Sequence, residues 1–191
     1  MNDPGSLPLA AHPSVLVGLA VEQWGEPGFI TRCVALYRTL SWGDEPELMS
    51  YLGGRRGPRF VEFGLGKEAY WLRVWPLRAM LYAWHASAVP VVVDGLADEH
   101  WRVREMAGKV TALRELGAAT EAVAGLLDDS VPRVRAVAAR GIAVIGEAEH
   151  APALRTLLDD PEPSVRGQAE RALRRLSERL DRDLTELTGR D

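Results

Sequence analysis

Apolar residues return along this chain at helical spacing, and the helices they mark recur every 31 residues. An aliphatic residue followed by arginine stands at Leu72-Arg73, Val103-Arg104, Val134-Arg135 and Val165-Arg166. Seven positions before each aliphatic residue is a leucine: Leu65, Leu96, Leu127 and Leu158. Asp98, Asp129 and Asp160 lie five positions before the last three, and Ala107, Ala138 and Ala169 lie four positions after them. A fixed period of this length marks a stacked repeat array and overrides an element-by-element reading. The copy around Leu72 departs from the pattern twice, with Lys67 in place of aspartate and Pro76 in place of alanine, and reads as degenerate and kinked.

Each unit predicts a short first helix, a polar turn and a longer second helix. First helices are expected at Val91 to Leu96, Glu121 to Leu127 and Ala151 to Leu158. Pro132 and Pro163 should open second helices, and Pro152 a first helix, because the first helical position needs no N–H. Val103, Ala107 and Val110 define one buried stripe, as do Val134, Ala138 and Ile142. Val165, Ala169, Leu173, Leu176 and Leu180 give the last helix an apolar side opposite many charges, as suits a terminal cap. Before residue 58 the register is lost. Helices are expected there at Pro13 to Gln23, Pro27 to Leu40 and Pro46 to Tyr51, the last opened by Asp44 and Glu47 as a capping box. Gly53-Gly54-Arg55-Arg56-Gly57-Pro58 reads as a flexible hinge or loop. The expected organisation is a helical N-terminal cap over 1–58, repeats at 59–89, 90–120, 121–151 and 152–182, and a tail over 183–191.

The segments Leu96-Ala-Asp-Glu-His-Trp-Arg-Val-Arg104, Leu127-Asp-Asp-Ser-Val-Pro-Arg-Val-Arg135 and Leu158-Asp-Asp-Pro-Glu-Pro-Ser-Val-Arg166 resemble the phycobilisome-lyase type of HEAT repeat. The resemblance spans roughly residues 59 to 182. It implies an all-α fold, a right-handed α-solenoid of about four HEAT-like helical pairs with an atypical helical N-terminal cap. It is nearly silent on function, since such repeats serve scaffolds, regulators, chromophore-attaching enzymes and, more distantly, DNA glycosylases.

Composition narrows the picture. At 191 residues, with 47% hydrophobic and 26% charged positions, the chain has the balance of a soluble globular protein. Its longest apolar stretches are far short of the about 20 residues needed to span a bilayer. Residues 1–11 lack the features of a signal peptide, so a cytoplasmic protein is the default expectation. Cys33 is the only cysteine, which excludes an intrachain disulfide and a cysteine-rich zinc site. A net charge of -4 argues against a surface that tracks nucleic acid throughout, while leaving room for a local basic patch.

The recurrent aspartates and arginines could be taken for catalytic or phosphate-binding groups, but a tether is needed at every junction and a catalytic group only once. They are expected to form a ladder. Better functional candidates vary between repeats on the second helices, which make the concave face in the resembling repeats. These are Tyr70, Trp71, Val74, Trp75 and Arg78; Trp101, Arg102, Glu105, Met106 and Lys109; Arg133, Val137 and Arg140; and Ser164, Gln168 and Arg171. Partner contacts are expected at Trp71, Trp75, Arg78, Trp101, Arg102, Lys109, Arg133 and Arg140, with Glu105 the one acid among the bases. The tryptophans at 71 and 75 have two readings, packing against the N-terminal helices or an aromatic hot spot.

The four histidines are scattered and none has metal-ligand spacing, so no metal and no cofactor is expected. Gly64-Leu-Gly66-Lys67 lacks the rest of a phosphate loop and reads as a turn. Three functions follow. The leading one is a noncatalytic scaffold or adaptor that holds an acidic protein or peptide segment on an aromatic and basic concave face. The alternatives are a small enzyme, with Glu62 or Glu68 and His85 as a general acid-base pair between cap and first repeat, and a nucleic-acid-binding HEAT-like protein, which net acidity disfavours.

Overall fold

The computed structural model describes residues 7–184 and contains no strand among them. Eleven α-helices follow in order: α1 Pro13–Trp24, α2 Glu26–Thr39, α3 Leu48–Gly53, α4 Arg56–Phe63, α5 Trp71–Ala79, α6 Val89–Leu96, α7 Trp101–Arg114, α8 Thr120–Gly125, α9 Pro132–Ile145, α10 Ala151–Thr156 and α11 Pro163–Leu180. The chain divides into two compact units, residues 1–91 and 92–191, with the division inside α6. No described helix is long and apolar enough to cross a membrane.

In the second unit the helices form as the sequence pattern demands. Pro132 and Pro163 occupy the first positions of α9 and α11, and Pro152 lies in the first turn of α10. Short 3-10 turns, Leu126–Asp128 and Leu157–Asp159, continue α8 and α10. The central helix α9 packs against α7 on one side and α11 on the other, while α8 and α10 each lean on the long helix that follows. Val103, Ala107 and Val110 are fully buried, as are Val134, Ala138, Ile142, Val165 and Ala169. These small and β-branched side chains form the shared core that a lone helical pair could not close. At the last leucine position the register shifts slightly: Leu158 is half-buried and Leu157 takes the deeper place. After α11 the chain turns at Asp181 in the left-handed region, and Leu184 is buried, with its N–H donating to Ser177 Oγ at 3.1 Å. Most of the expected tail, residues 185–191, lies outside the described residues, as do residues 1–6 of the expected cap.

The first unit corrects two local expectations. The helix expected from Pro46 begins only at Leu48; its N-cap residue is Glu47, and no side chain caps it, so Asp44 opens nothing. The expected hinge at residues 53–58 is instead a tight corner between α3 and α4, with Pro58 inside the first turn of α4. The glycines there are required by proximity rather than flexibility. A Cβ on Gly57 would lie 1.9 Å from the Met49 carbonyl oxygen, and one on Gly53 would lie 2.5 Å from the Trp75 ring. Around this corner α1 packs on α2 and α3, and α5 packs on α2 and α3. Phe29, Ile30, Leu36, Met49, Leu72, Leu77 and Met80 form its interior.

Candidate functional site

The repeated arginines and aspartates are committed to structure. Arg104 donates from Nε and Nη2 to the two carboxylate oxygens of Asp129, at 2.6 and 3.0 Å, and Arg135 does the same to Asp160, at 2.6 and 2.8 Å. The remaining guanidinium nitrogen of each turns back to its own repeat: Arg104 Nη1 donates to Asp98 O and Arg135 Nη1 to Asp129 O, both at 2.8 Å. Arg166 repeats that contact on Asp160 O at 2.7 Å. Each aspartate also accepts the backbone N–H two residues on, from His100, Val131 and Glu162. One aspartate therefore shapes the turn before a long helix and receives the arginine of the preceding repeat. Burial alone would raise the Asp129 pKa, but the Arg104 hydrogen bond, the Val131 N–H and the neighbouring cations outweigh it and hold the carboxyl below its ordinary range. For Asp160 the Arg135 hydrogen bond is the leading cause of the same lowering.

With the ladder removed from consideration, the second unit presents one group of side chains on a shared cavity of about 240 Å³ between its long helices. Glu105 and Lys109 of α7, Arg133, Val137 and Arg140 of α9, and Gln168 of α11 line it. Glu105 is buried to 7% exposure and accepts from two cations at one oxygen, Lys109 Nζ at 2.8 Å and Arg133 Nη2 at 3.1 Å. Trp101, at the start of α7, lies against two guanidiniums, Arg102 at 4.5 Å and Arg133 at 5.6 Å from its ring. These are cation–π distances. Arg140 is exposed and has no ion-pair or hydrogen-bond partner among the described residues. The arrangement is a fixed acid surrounded by an excess of base, with an aromatic platform at one end.

The expected contact residues in the first unit have other work. Trp75 is 2% exposed, stacks on Phe60 at 5.2 Å and packs against Gly53; it is a core residue, which corrects its expected role as a partner anchor. Trp71 is half-buried beside Tyr70 and Trp75, with Arg56 over its ring at 5.3 Å. Arg78 is half-buried and donates to Leu52 O at the end of α3.

Glu68 and His85, two of the groups weighed for catalysis, each have a local partner. Glu68 pairs with Arg56 at 2.7 Å, whereas His85 Nδ1 accepts the Ser87 N–H and caps the next turn. No hydrogen bond joins Glu68 to His85 among the described residues. Cys33 is fully buried, and burial pushes its thiol pKa up, away from the thiolate a nucleophile requires.

One metal-like cluster escaped the sequence reading, because its members are drawn from two separate turns. Ligand atoms of Glu121, Glu149 and His150 lie within 4.8 Å of one another. His150 Nδ1 lies 3.0 Å from the Glu147 backbone nitrogen and 3.2 Å from the Glu147 carbonyl oxygen, while Nε2 faces Glu121 at 3.7 Å. A cation at Nε2 needs the tautomer in which Nδ1–H donates to that carbonyl instead of accepting the Glu147 N–H.

No curated protein matches the chain. Residues 119–190 match the family model for HEAT repeats, so this segment is similar to a repeat class that generally mediates protein interactions.

Proposed function

We propose that the chain is a noncatalytic protein-interaction scaffold whose second unit binds an acidic protein or peptide segment across α7, α9 and α11. The observation that carries this reading is the charge balance of the cavity: Lys109, Arg133 and Arg140 line it with Glu105, which already pairs with the first two, and Arg102 lies nearby over the Trp101 ring. Trp101, with the Arg102 and Arg133 guanidiniums against its ring, supplies apolar area at low entropic cost, the residue type favoured as a binding anchor. An acidic segment would neutralise Arg140 first and compete with Glu105 for Arg133. The contact expected at Trp71, a half-buried aromatic of the first unit, is a separate proposal from this face; Trp75 is core.

Several finer points of architecture are part of the same proposal: the phycobilisome-lyase type of the repeats, the degenerate copy around Leu72, the cap over 1–58, the right-handed sense of the array with a concave inner face, and a cytoplasmic location.

The test is titration of a fluorescently labelled peptide rich in glutamate and leucine into wild type and Arg102→Glu/Arg140→Glu protein, read by anisotropy. Saturable binding lost in the charge-reversed protein, with helicity unchanged, supports the proposal. Equal binding to both proteins removes the basic face from consideration. A labelled single-stranded oligonucleotide run in parallel tests the nucleic-acid reading; binding to it that falls steeply with salt and exceeds peptide binding would replace the peptide as occupant.

A further inference from the structure

The first unit contains a second basic site, independent of the face assigned to the acidic segment. A cavity of about 370 Å³ is lined by Arg55, Arg56 and Arg78 on one side and by Leu9, Pro13 and Leu16 on the other. No aspartate or glutamate among the described residues lines it. Arg56 is balanced by Glu68 at its rim, at 2.7 Å. Arg55 is exposed and Arg78 half-buried, and neither has a carboxylate partner among the described residues. A guanidinium carries five N–H donors. Arg78 has one hydrogen bond, to the neutral carbonyl of Leu52. Arg78 itself lines the cavity.

A half-buried cation without a counter-charge is costly, and here the cost falls on a residue that borders a cavity. Burial lowers the Arg78 pKa below its ordinary value, with the Tyr82 hydroxyl acting weakly against it. The residues that build the cavity are held firmly. Arg55 N–H donates to Leu9 O at 3.1 Å, which joins the segment before α1 to the corner between α3 and α4. That corner is the close-packed glycine turn, so Arg55 and Arg56 project from a backbone with little freedom to rearrange, and Arg78 projects from α5.

We propose that this cavity is a binding site for a phosphate-class oxyanion, held by Arg55 and Arg78 with Arg56 at the rim. Guanidinium forks match the paired oxygens of a phosphoryl group and give strong charge-assisted hydrogen bonds. The oxyanion supplies the counter-charge that Arg78 lacks. The wall formed by Leu9, Pro13 and Leu16 leaves room for an organic body attached to the phosphate, and free phosphate would use the arginines alone.

The experiment is an NMR titration of the ¹⁵N-labelled full chain with inorganic phosphate, phenyl phosphate and benzyl alcohol, following the amides of Gly53, Gly54 and Arg55. Saturable shifts with either phosphate and none with the alcohol support the site. Tighter binding of phenyl phosphate assigns an organic phosphate, and equal binding assigns free phosphate. Arg55→Gln, on an exposed side chain that the fold does not need, should weaken binding by about tenfold, the usual scale for one charge-assisted hydrogen bond. Arg78→Lys, which keeps the charge and loses the fork, should weaken it as well. Absence of saturation, or unchanged affinity in Arg55→Gln, overturns the proposal. Neither result touches the peptide face of the second unit, whose test uses different residues and a different probe.

Discussion

Arg104 and Asp129, 25 positions apart, meet through two parallel hydrogen bonds of 2.6 and 3.0 Å, and Arg135 and Asp160 repeat the pair one period later. The side chains of Asp129 and Asp160 are 6% and 4% exposed, and those of Arg104 and Arg135 are 15% and 13%. Each pair is a largely desolvated tether between adjacent repeats.

Removing one partner leaves the other charge without compensation. Arg135→Ala or Asp160→Asn should each destabilise the protein by about 3 kcal/mol, as breaking buried pairs does. The double change Arg135→Met/Asp160→Leu should cost clearly less than the sum of the single changes. Urea unfolding of the three proteins checks this, and strict additivity would mean the pair does not couple the repeats.

The same carboxylates set an acid limit. Their folded pKa values lie below those in the unfolded chain. Between the two values the unfolded state binds more protons, so stability is fully present above about pH 5, the upper edge of ordinary carboxylate titration, and declines as pH falls through and below about pH 4. The thermal midpoint of Asp129→Asn protein should be lower at pH 7 and depend less on pH in this range than that of wild type. Parallel curves for the two proteins would contradict the assignment.

Gly57→Ala should unfold or severely loosen the corner between α3 and α4, because its Cβ would sit inside the Met49 carbonyl rather than against a movable side chain. A loss of at least about 3 kcal/mol is expected, beyond ordinary overpacking. Gly25→Ala, where no atom lies within 4 Å but φ +69° and ψ 154° fall in a region open essentially to glycine alone, should cost about 1 to 3 kcal/mol from backbone strain without crowding. Thermal melts of both variants separate crowding from backbone strain.

The two tryptophans at 75 and 101 should behave oppositely. Trp75→Ala should cost about 3 to 5 kcal/mol as a core truncation. Trp101→Ala should change stability by about 1 kcal/mol or less while weakening the labelled acidic peptide. Chemical denaturation and the anisotropy titration, run on the same preparations, distinguish core from contact.

The sequence alone determined the helical repeats of the second unit, because their information is local and periodic. Val134 and Ala138 lie one turn apart on a helix opened by Pro132, and the 31-residue recurrence of aspartate and arginine requires a ladder wherever repeats stack. The N-terminal helices α1 and α2 were legible for the same reason. The sequence could not tell Trp75 from Trp101. Both stand on helices at plausible contact positions, and only the placement of Phe60 and Gly53 over Trp75 decides that one is core. The helix α4 was hidden because Gly53, Gly54, Gly57 and Pro58 read as helix breakers, whereas Gly57 is there to admit the Met49 backbone, a contact made only in three dimensions. The Glu105 carboxylate was visible as the one acid among bases, but its two cation partners come from different helices. Tertiary structure alone also brought Arg78 to the cavity of Arg55 and Arg56, since residues 22 and 23 positions apart share a site only after the chain has packed. Periodicity specifies which face of a helix is apolar; what covers that face, and which charges are left uncovered, is decided by the packed neighbours.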